Sequence, residues 1–224
     1  MSLRQVPFAL DEWYHCYNRG IDKRTVFNSA TDYKRFMHLL YLCNSDVALH
    51  RSDILKNSEI DIFNLKRGEP LVAIGAYALM FNHFHLQIRE IRENGISTFM
   101  QKLGTAYTMY FNIKNERTGS LFTKPFRSKH INNDEYLRYL TQYIHLNIAE
   151  KFEPEWKKGV VKDMKSLEGN IAKYNFSSFT DYHFSINRAE KNILDNEAFD
   201  LLGDELPRIS TILTEAAAYY EELM

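Results

Sequence analysis

Cysteine is scarce in this chain. Cys16 and Cys43 are the only two among 224 residues, they form no CxxC pair, and they are too few for a disulfide framework. A reducing, cytoplasmic setting is therefore the expectation. Glycine and proline are sparse too, at nine and five residues, which excludes collagen-like and linker-dominated chains. Long apolar runs are missing: the longest, Leu71 to Phe81, has eleven residues, too few to cross a bilayer. The N-terminus has no basic segment followed by an apolar one, so no membrane partner is expected. Neither a P-loop nor a glycine-rich dinucleotide fingerprint occurs, and a nucleotide pocket of either kind is excluded.

What is present is an ordinary globular composition, 45% apolar and 14% aromatic, sufficient for a core. The formal net charge of -1 hides an asymmetry. From Glu190 onward nine acidic residues stand against Lys191 and Arg208, which leaves 26 basic and 20 acidic residues in positions 1–189, a formal charge of +6. An anionic partner suits that body. The acidic tail then has two readings. It repels such a partner from the body, or it packs on the body through Leu194, Phe199, Leu201, Leu202, Ile212 and Leu213.

Patterning predicts an order of elements. Glu12–Asn18 is aromatic and alternating, a strand stopped by Arg19-Gly20. Thr31 or Asp32 is expected to cap a helix carrying Phe36, Leu39, Leu40 and Cys43 at helical spacing. Residues 46–70 read as an insertion, with a short helix near Asp53–Phe63. Leu71–Met80 is a buried strand, and His83–Glu90 alternates and pairs back on it. Ile96–Asn112 is an amphipathic helix through Phe99, Met100, Leu103, Tyr107 and Tyr110 or Phe111. Ser120–Ile131 is extended or irregular, and Asn133 caps a helix to about Ala149. The order β-α-β-β-α-β-α implies an α+β sandwich around a mainly antiparallel sheet with helices on its faces. Two further helices, Arg188–Leu202 and Pro207 to the end, form a helical C-terminal extension.

Three constellations could carry chemistry. In His83-Phe84-His85 both imidazoles project from one strand face and could share a metal ion, although histidines at a strand edge bonded to backbone read the same way. On the next helix Tyr143 and Asn147, four residues apart, share a face with Tyr136, as would a plain packing stripe. His145 points away from that face and is read as structural or exposed. Between the two lies a basic stretch, Lys114, Arg117, Lys124, Arg127, Lys129 and His130, interleaved with Phe122 and Phe126. It has the composition of a single-strand nucleic-acid groove, and equally of a solvated loop.

Five ordered blocks carry a resemblance. Tyr14-His-Cys-Tyr-Asn-Arg-Gly20 with Phe27 and Asp32-Tyr33, Met80-Phe-Asn-His-Phe-His-Leu-Gln87, Arg117-Thr-Gly-Ser-Leu-Phe122 with Arg127, Tyr143-Ile-His-Leu-Asn147, and Phe176-Ser-Ser-Phe-Thr-Asp-Tyr182 together resemble the single-tyrosine HUH transposases, in particular their REP-associated branch. The likeness spans roughly residues 8–185. Where that branch has Asn-Pro, this chain has Asn147-Ile148.

The resemblance implies a ferredoxin-like HUH sandwich and a nuclease domain over 1–153. Residues 154–224 would follow as an extension, family-like to about 185, with the acidic helical tail at 190–224. It implies His83, His85 and Asn147 as ligands of Mg²⁺ or Mn²⁺, with Tyr143 as the nucleophile. The partner it implies is single-stranded DNA, hairpin-containing, contacted by Arg19 and by the basic stretch. The reaction it implies is cleavage and strand transfer through a 5′-phosphotyrosine. Monomer and homodimer both stay open. Two competing readings remain: a catalytically silent or regulated hairpin-binding protein, and a metal phosphodiesterase that uses water.

Overall fold

The computed structural model describes residues 7–47, 61–184, 186–203, 206, 208–211 and 213. Four antiparallel strands, β1 (Trp13–Arg19), β2 (Val72–Met80), β3 (His83–Glu90) and β4 (Arg127–Ile131), form one sheet in the order β2-β3-β1-β4. Helices cover both faces, so the protein is an α+β sandwich around an antiparallel sheet.

Alternation along the strands decides which face each residue serves. One face presents Tyr14 and Cys16 from β1, Ile74, Tyr77 and Leu79 from β2, and Phe84, Leu86 and Ile88 from β3, all buried. It is closed by α1 (Ala30–Cys43) and α2 (Gly95–Lys114), through Phe36, Leu39 and Leu40, and through Phe99, Leu103, Tyr107 and Phe111. The helix expected from Phe36 and its neighbours is present, but its cap is Ser29 rather than Thr31 or Asp32. Asp32 is the third helical residue, and its carboxylate accepts from the Asn28 and Ser29 amides at 2.8 and 3.1 Å, closing a capping box.

The opposite face is covered at one end by α3 (Asp134–Leu146), capped as expected by Asn133, whose oxygen accepts from the Tyr136 amide at 2.7 Å. Ala76 and Ala78 of β2 let Leu137, Leu140 and Ile144 approach closely. Gly75 is a β-bulge between Ile74 and Ala76. A Cβ there would lie 2.9 Å from both Leu202 and the Trp13 ring, so only glycine permits the approach. Past α3 the chain forms a short helix α4 (Ala149–Phe152), then α5 (Met164–Ala172) and α6 (Phe179–His183). The helix expected to reach Ala149 therefore ends at Leu146.

The C-terminal segment guards the edge of β2. The Leu79 amide donates to Phe176 O and the Ser178 amide to Tyr77 O, while the Asp195 amide donates to Ile74 O. An exposed strand edge is thereby paired. The single helix expected over Arg188–Leu202 is broken in two. A 3-10 turn spans Ala189–Ile193, and α7 (Asn196–Gly203) restarts because the Asp195 carboxylate accepts from the Ala198 amide at 2.9 Å. Asparagine and aspartate at such positions compete with the helix and favour caps. Leu194, Leu202 and Leu213 are buried and Phe199 is partly buried, whereas Leu201 is exposed. The described part of the tail thus packs on the body. Ile212 and most of the helix expected from Pro207 lie outside the described residues. So does most of the short helix expected near Asp53–Phe63, of which only a 3-10 turn at Ile62–Asn64 is described. Among the described residues no helix is long and apolar enough to cross a membrane.

Candidate functional site

The strand order brings His83, His85, Arg19, Arg127 and Lys129 together on the second face. Across the sheet, Arg127, Tyr17, His85 and Ala78 form one row of paired positions, Lys129, His15, Gln87 and Ala76 the next, and Arg19 pairs with His83. All of them point to the same side as the two histidines. Three of the basic candidates, Arg19, Arg127 and Lys129, are therefore exposed on the histidine face.

Helix α3 is docked onto that face by a buried polar contact. Gln87 Nε2 donates to Leu137 O at 3.0 Å, and Thr141 Oγ1 donates to Gln87 Oε1 at 2.7 Å. The clamp sets the rotation of α3, and with it Tyr143. The ring of Tyr143 stands edge-on to two imidazoles, 5.8 Å from His85 and 6.0 Å from His15. Tyr136 lies in the same stripe and carries the Lys129 ammonium 5.0 Å above its ring.

The histidines are held as neutral bases. Burial pushes His83 down to about 4, assisted by the positive charge of Arg19. Burial, then Lys129, pushes His15 down to about 3. His85 is held well below its ordinary value by burial and by its histidine neighbours. Neutral imidazole is the ligand form. His83 Nδ1 sits 2.6 Å from Asn82 Oδ1, and His85 Nδ1 sits 2.8 Å from His15 Nε2. The His83 and His85 rings are 5.0 Å apart and perpendicular.

Asn147 caps the C-terminus of α3 and is buried, with its Nδ2 donating to Tyr143 O at 2.8 Å. That bond assigns the nitrogen and leaves the carboxamide oxygen as the atom able to act as a ligand. Its neighbours Leu146 and Ile148 pack with Met80, the residue paired to His83. Among the described residues no three His, Cys, Asp or Glu side chains group as a metal cage. The candidate donor set is two neutral imidazoles and a carboxamide, which fits a divalent ion that keeps positions open for water and phosphate oxygens.

The remaining basic candidates lie elsewhere. Lys114, at the end of α2, donates to the buried Asp32 carboxylate at 2.6 Å and to Ser29 Oγ at 3.1 Å. Burial alone would raise Asp32, but Lys114, Tyr110 and the Asn28 amide outweigh it and hold it below the usual range. Arg117 clasps its own turn, donating to Asn112 Oδ1 and Ser120 O. Lys124 lines a cavity of about 660 Å³ between α2 and residues 119–126, bordered by Phe84, on the other side of the sheet. His145 is fully buried and bonded through Nε2 to Ser178 Oγ at 2.8 Å, a structural role.

Sequence reasoning did not single out His15, Tyr17, Asn82 or Lys157. Tyr17 stacks on His85 at 5.7 Å, and Lys157, paired to Glu150 at 2.8 Å, adds positive charge near His83 and His85. For His15 and Tyr17 a signal existed, the alternation that puts both on one face of β1; for Lys157 it was only the basic pair Lys157-Lys158, which carries no spatial information.

No family model matches the chain, and no curated protein matches it. Among solved structures it is similar to a REP-associated tyrosine transposase bound to a REP hairpin, with a TM-score of 0.51 and 14% identity, over 93% of this chain and all of the other. The two share a fold.

Proposed function

We propose that this protein cleaves and rejoins single-stranded DNA, hairpin-containing strands in particular, by transesterification at Tyr143. The observation that carries the reading is the Tyr143 ring lying against two buried, neutral imidazoles on a sheet face rimmed by Arg19, Arg127 and Lys129. Its shared fold with a transposase bound to a DNA hairpin supports the same substrate class.

His83, His85 and the Asn147 oxygen would hold Mg²⁺ or Mn²⁺, which when bound supplies Lewis acidity to a phosphate oxygen. The chain's own residues do the rest. Arg19, Arg127 and Lys129 attract and align the backbone of the strand. The Tyr143 oxygen attacks phosphorus, the bond to O3′ breaks, and the phenolic proton is balanced by the one the leaving 3′ oxygen takes up. The products are a 5′-phosphotyrosine and a free 3′-OH. One phosphodiester has replaced another, so a 3′-OH can later reverse the step without ATP.

The test is incubation with single-stranded hairpin oligonucleotides and Mn²⁺, followed by denaturing electrophoresis. The wild type should leave a covalent adduct, and Tyr143→Phe should abolish it while DNA affinity stays nearly intact. Cleavage without an adduct would instead identify a hydrolase using water, and binding without cleavage a hairpin-binding protein.

A further inference from the structure

Both histidines of the His83-Phe84-His85 pair have Nδ1 engaged by a neighbour, and the two neighbours differ in what they determine. At His83 the direction of the bond is decided by the surroundings. Asn82 Nδ2 donates to Lys23 O at 3.1 Å, which turns its Oδ1 toward His83 Nδ1 at 2.6 Å. A carboxamide oxygen only accepts, so His83 Nδ1 carries the hydrogen and its Nε2 presents a lone pair. At His85 the neighbour is another imidazole, His15 Nε2 at 2.8 Å, which can accept or donate.

We propose that His15 is the positioning residue for His85: its Nε2 accepts from His85 Nδ1–H, so that both histidines present Nε2 lone pairs to one cation. This rests on the reading of the pair as metal ligands. The placement follows from topology, because β1 lies beside β3 and His15, paired to Gln87, shares a face with His85 two residue pairs away. His15 is buried at 7% exposure, its ring tilted against Tyr17 at 4.9 Å and nearly parallel to His85 at 5.0 Å, so it has little freedom to turn. A ligand imidazole whose second nitrogen is held by an acceptor is fixed in tautomer and orientation. Asn82 and His15 then do the same work for the two ligands from different elements.

The decisive measurement is made without metal or DNA: the tautomers of His83 and His85 by ¹⁵N NMR of the histidine-labelled chain near pH 7. Both should be Nδ1–H. In His15→Phe, which keeps a planar ring and loses the acceptor, His85 should lose its fixed tautomer. Calorimetric affinity for Mn²⁺ alone should fall about 10- to 100-fold. His15→Gln, which restores an acceptor, should recover both. An Nε2–H tautomer at His85 in the wild type overturns the proposal, as does a folded His15→Phe protein with unchanged tautomer and Mn²⁺ affinity. Should His15→Phe not fold, the wild-type spectrum and the Gln variant decide. A wild type with the expected tautomers that forms no covalent adduct would sink the nuclease reading and leave this one standing.

Discussion

Two groups of buried and half-buried histidines lie on the same side of the sheet, and they are built to opposite ends. At the open end His15, His83 and His85 have ring nitrogens engaged by neighbours, a tyrosine against their edges and a basic rim. At the closed end His145 and His183 pack with Phe179 and Tyr182, and His145 Nδ1 and His183 Nε2 are buried with no hydrogen-bond partner among the described residues. Beside them Arg188 is bonded to the buried Asp181 at 2.7 Å and to Ser177 O at 2.6 Å, tying down the segment that covers β2. Burial lowers the proton affinity of both groups. Proton affinity therefore does not separate a site from a core; the placement of lone pairs and the access of an anion do.

Metal affinity should separate the two groups when one histidine of each is removed. His85→Ala should lower Mn²⁺ affinity and adduct formation by at least about 100-fold, and it should cost stability as well, because His85 is itself buried and bonded to His15. His145→Ala should leave Mn²⁺ affinity unchanged and cost about 2 to 4 kcal/mol of stability, since it empties a packed position and removes the partner of Ser178. Calorimetry and denaturant unfolding on both proteins check the pair. Equal effects on Mn²⁺ affinity would erase the distinction between the two groups.

The closed end should also depend on the tail. Deleting residues 190–224 uncovers the sites of Leu194 and Leu202, a loss of about 3 to 6 kcal/mol. Urea unfolding of the truncated chain measures it. A truncated protein of full stability that binds DNA more tightly at low salt would return the acidic tail to an electrostatic role alone.

A smaller effect separates the basic residues. Reversing Arg19, Arg127 or Lys129 should weaken binding to unrelated single strands alike and reduce the salt slope by about 0.7 for each phosphate no longer neutralised. Reversing Lys114 should instead leave Asp32 buried without its cation and lower stability. Binding isotherms at several salt concentrations, with melting curves, distinguish the two outcomes.

The smallest effect is on pH. Burial holds His183 at about 4 and His145 well below its ordinary value, while the unfolded chain takes up protons near 6.5. Their contribution is complete above pH 6.5 and is lost as pH falls toward the folded values. Urea unfolding at pH 7.5, 6.5 and 5.5 should show a decline over the acidic half, to which His15, His83 and His85 also contribute, and the share of His145 in the closed group should be lost in His145→Asn. A flat wild-type profile would mean that these histidines protonate without unfolding.

What could be read from the chain by itself was local. Period-two alternation in Trp13–Arg19 and His83–Glu90, helical spacing of Phe36 to Cys43 and of Phe99 to Phe111, and Asn133 as a cap determined the order of elements, because side-chain direction within one strand or helix follows from its own geometry. The resemblance carried by the short motifs named Tyr143, His83, His85 and Asn147, and the fold places the first three on one face. Competing caps were already harder: Ser29 and Asp195 won over their neighbours by bonds only the folded chain reveals. Pairing between distant strands was decided by tertiary structure alone. The order β2-β3-β1-β4 laid His15 against His85, turned Arg127 and Lys129 toward the site, and left Lys114 and Arg117 at the end of α2 with partners of their own. Charge and residue type are written in the sequence, but which side chain meets which depends on contacts across 70 or more residues, such as that between His15 and His85. Those contacts form only when the apolar faces close over one another.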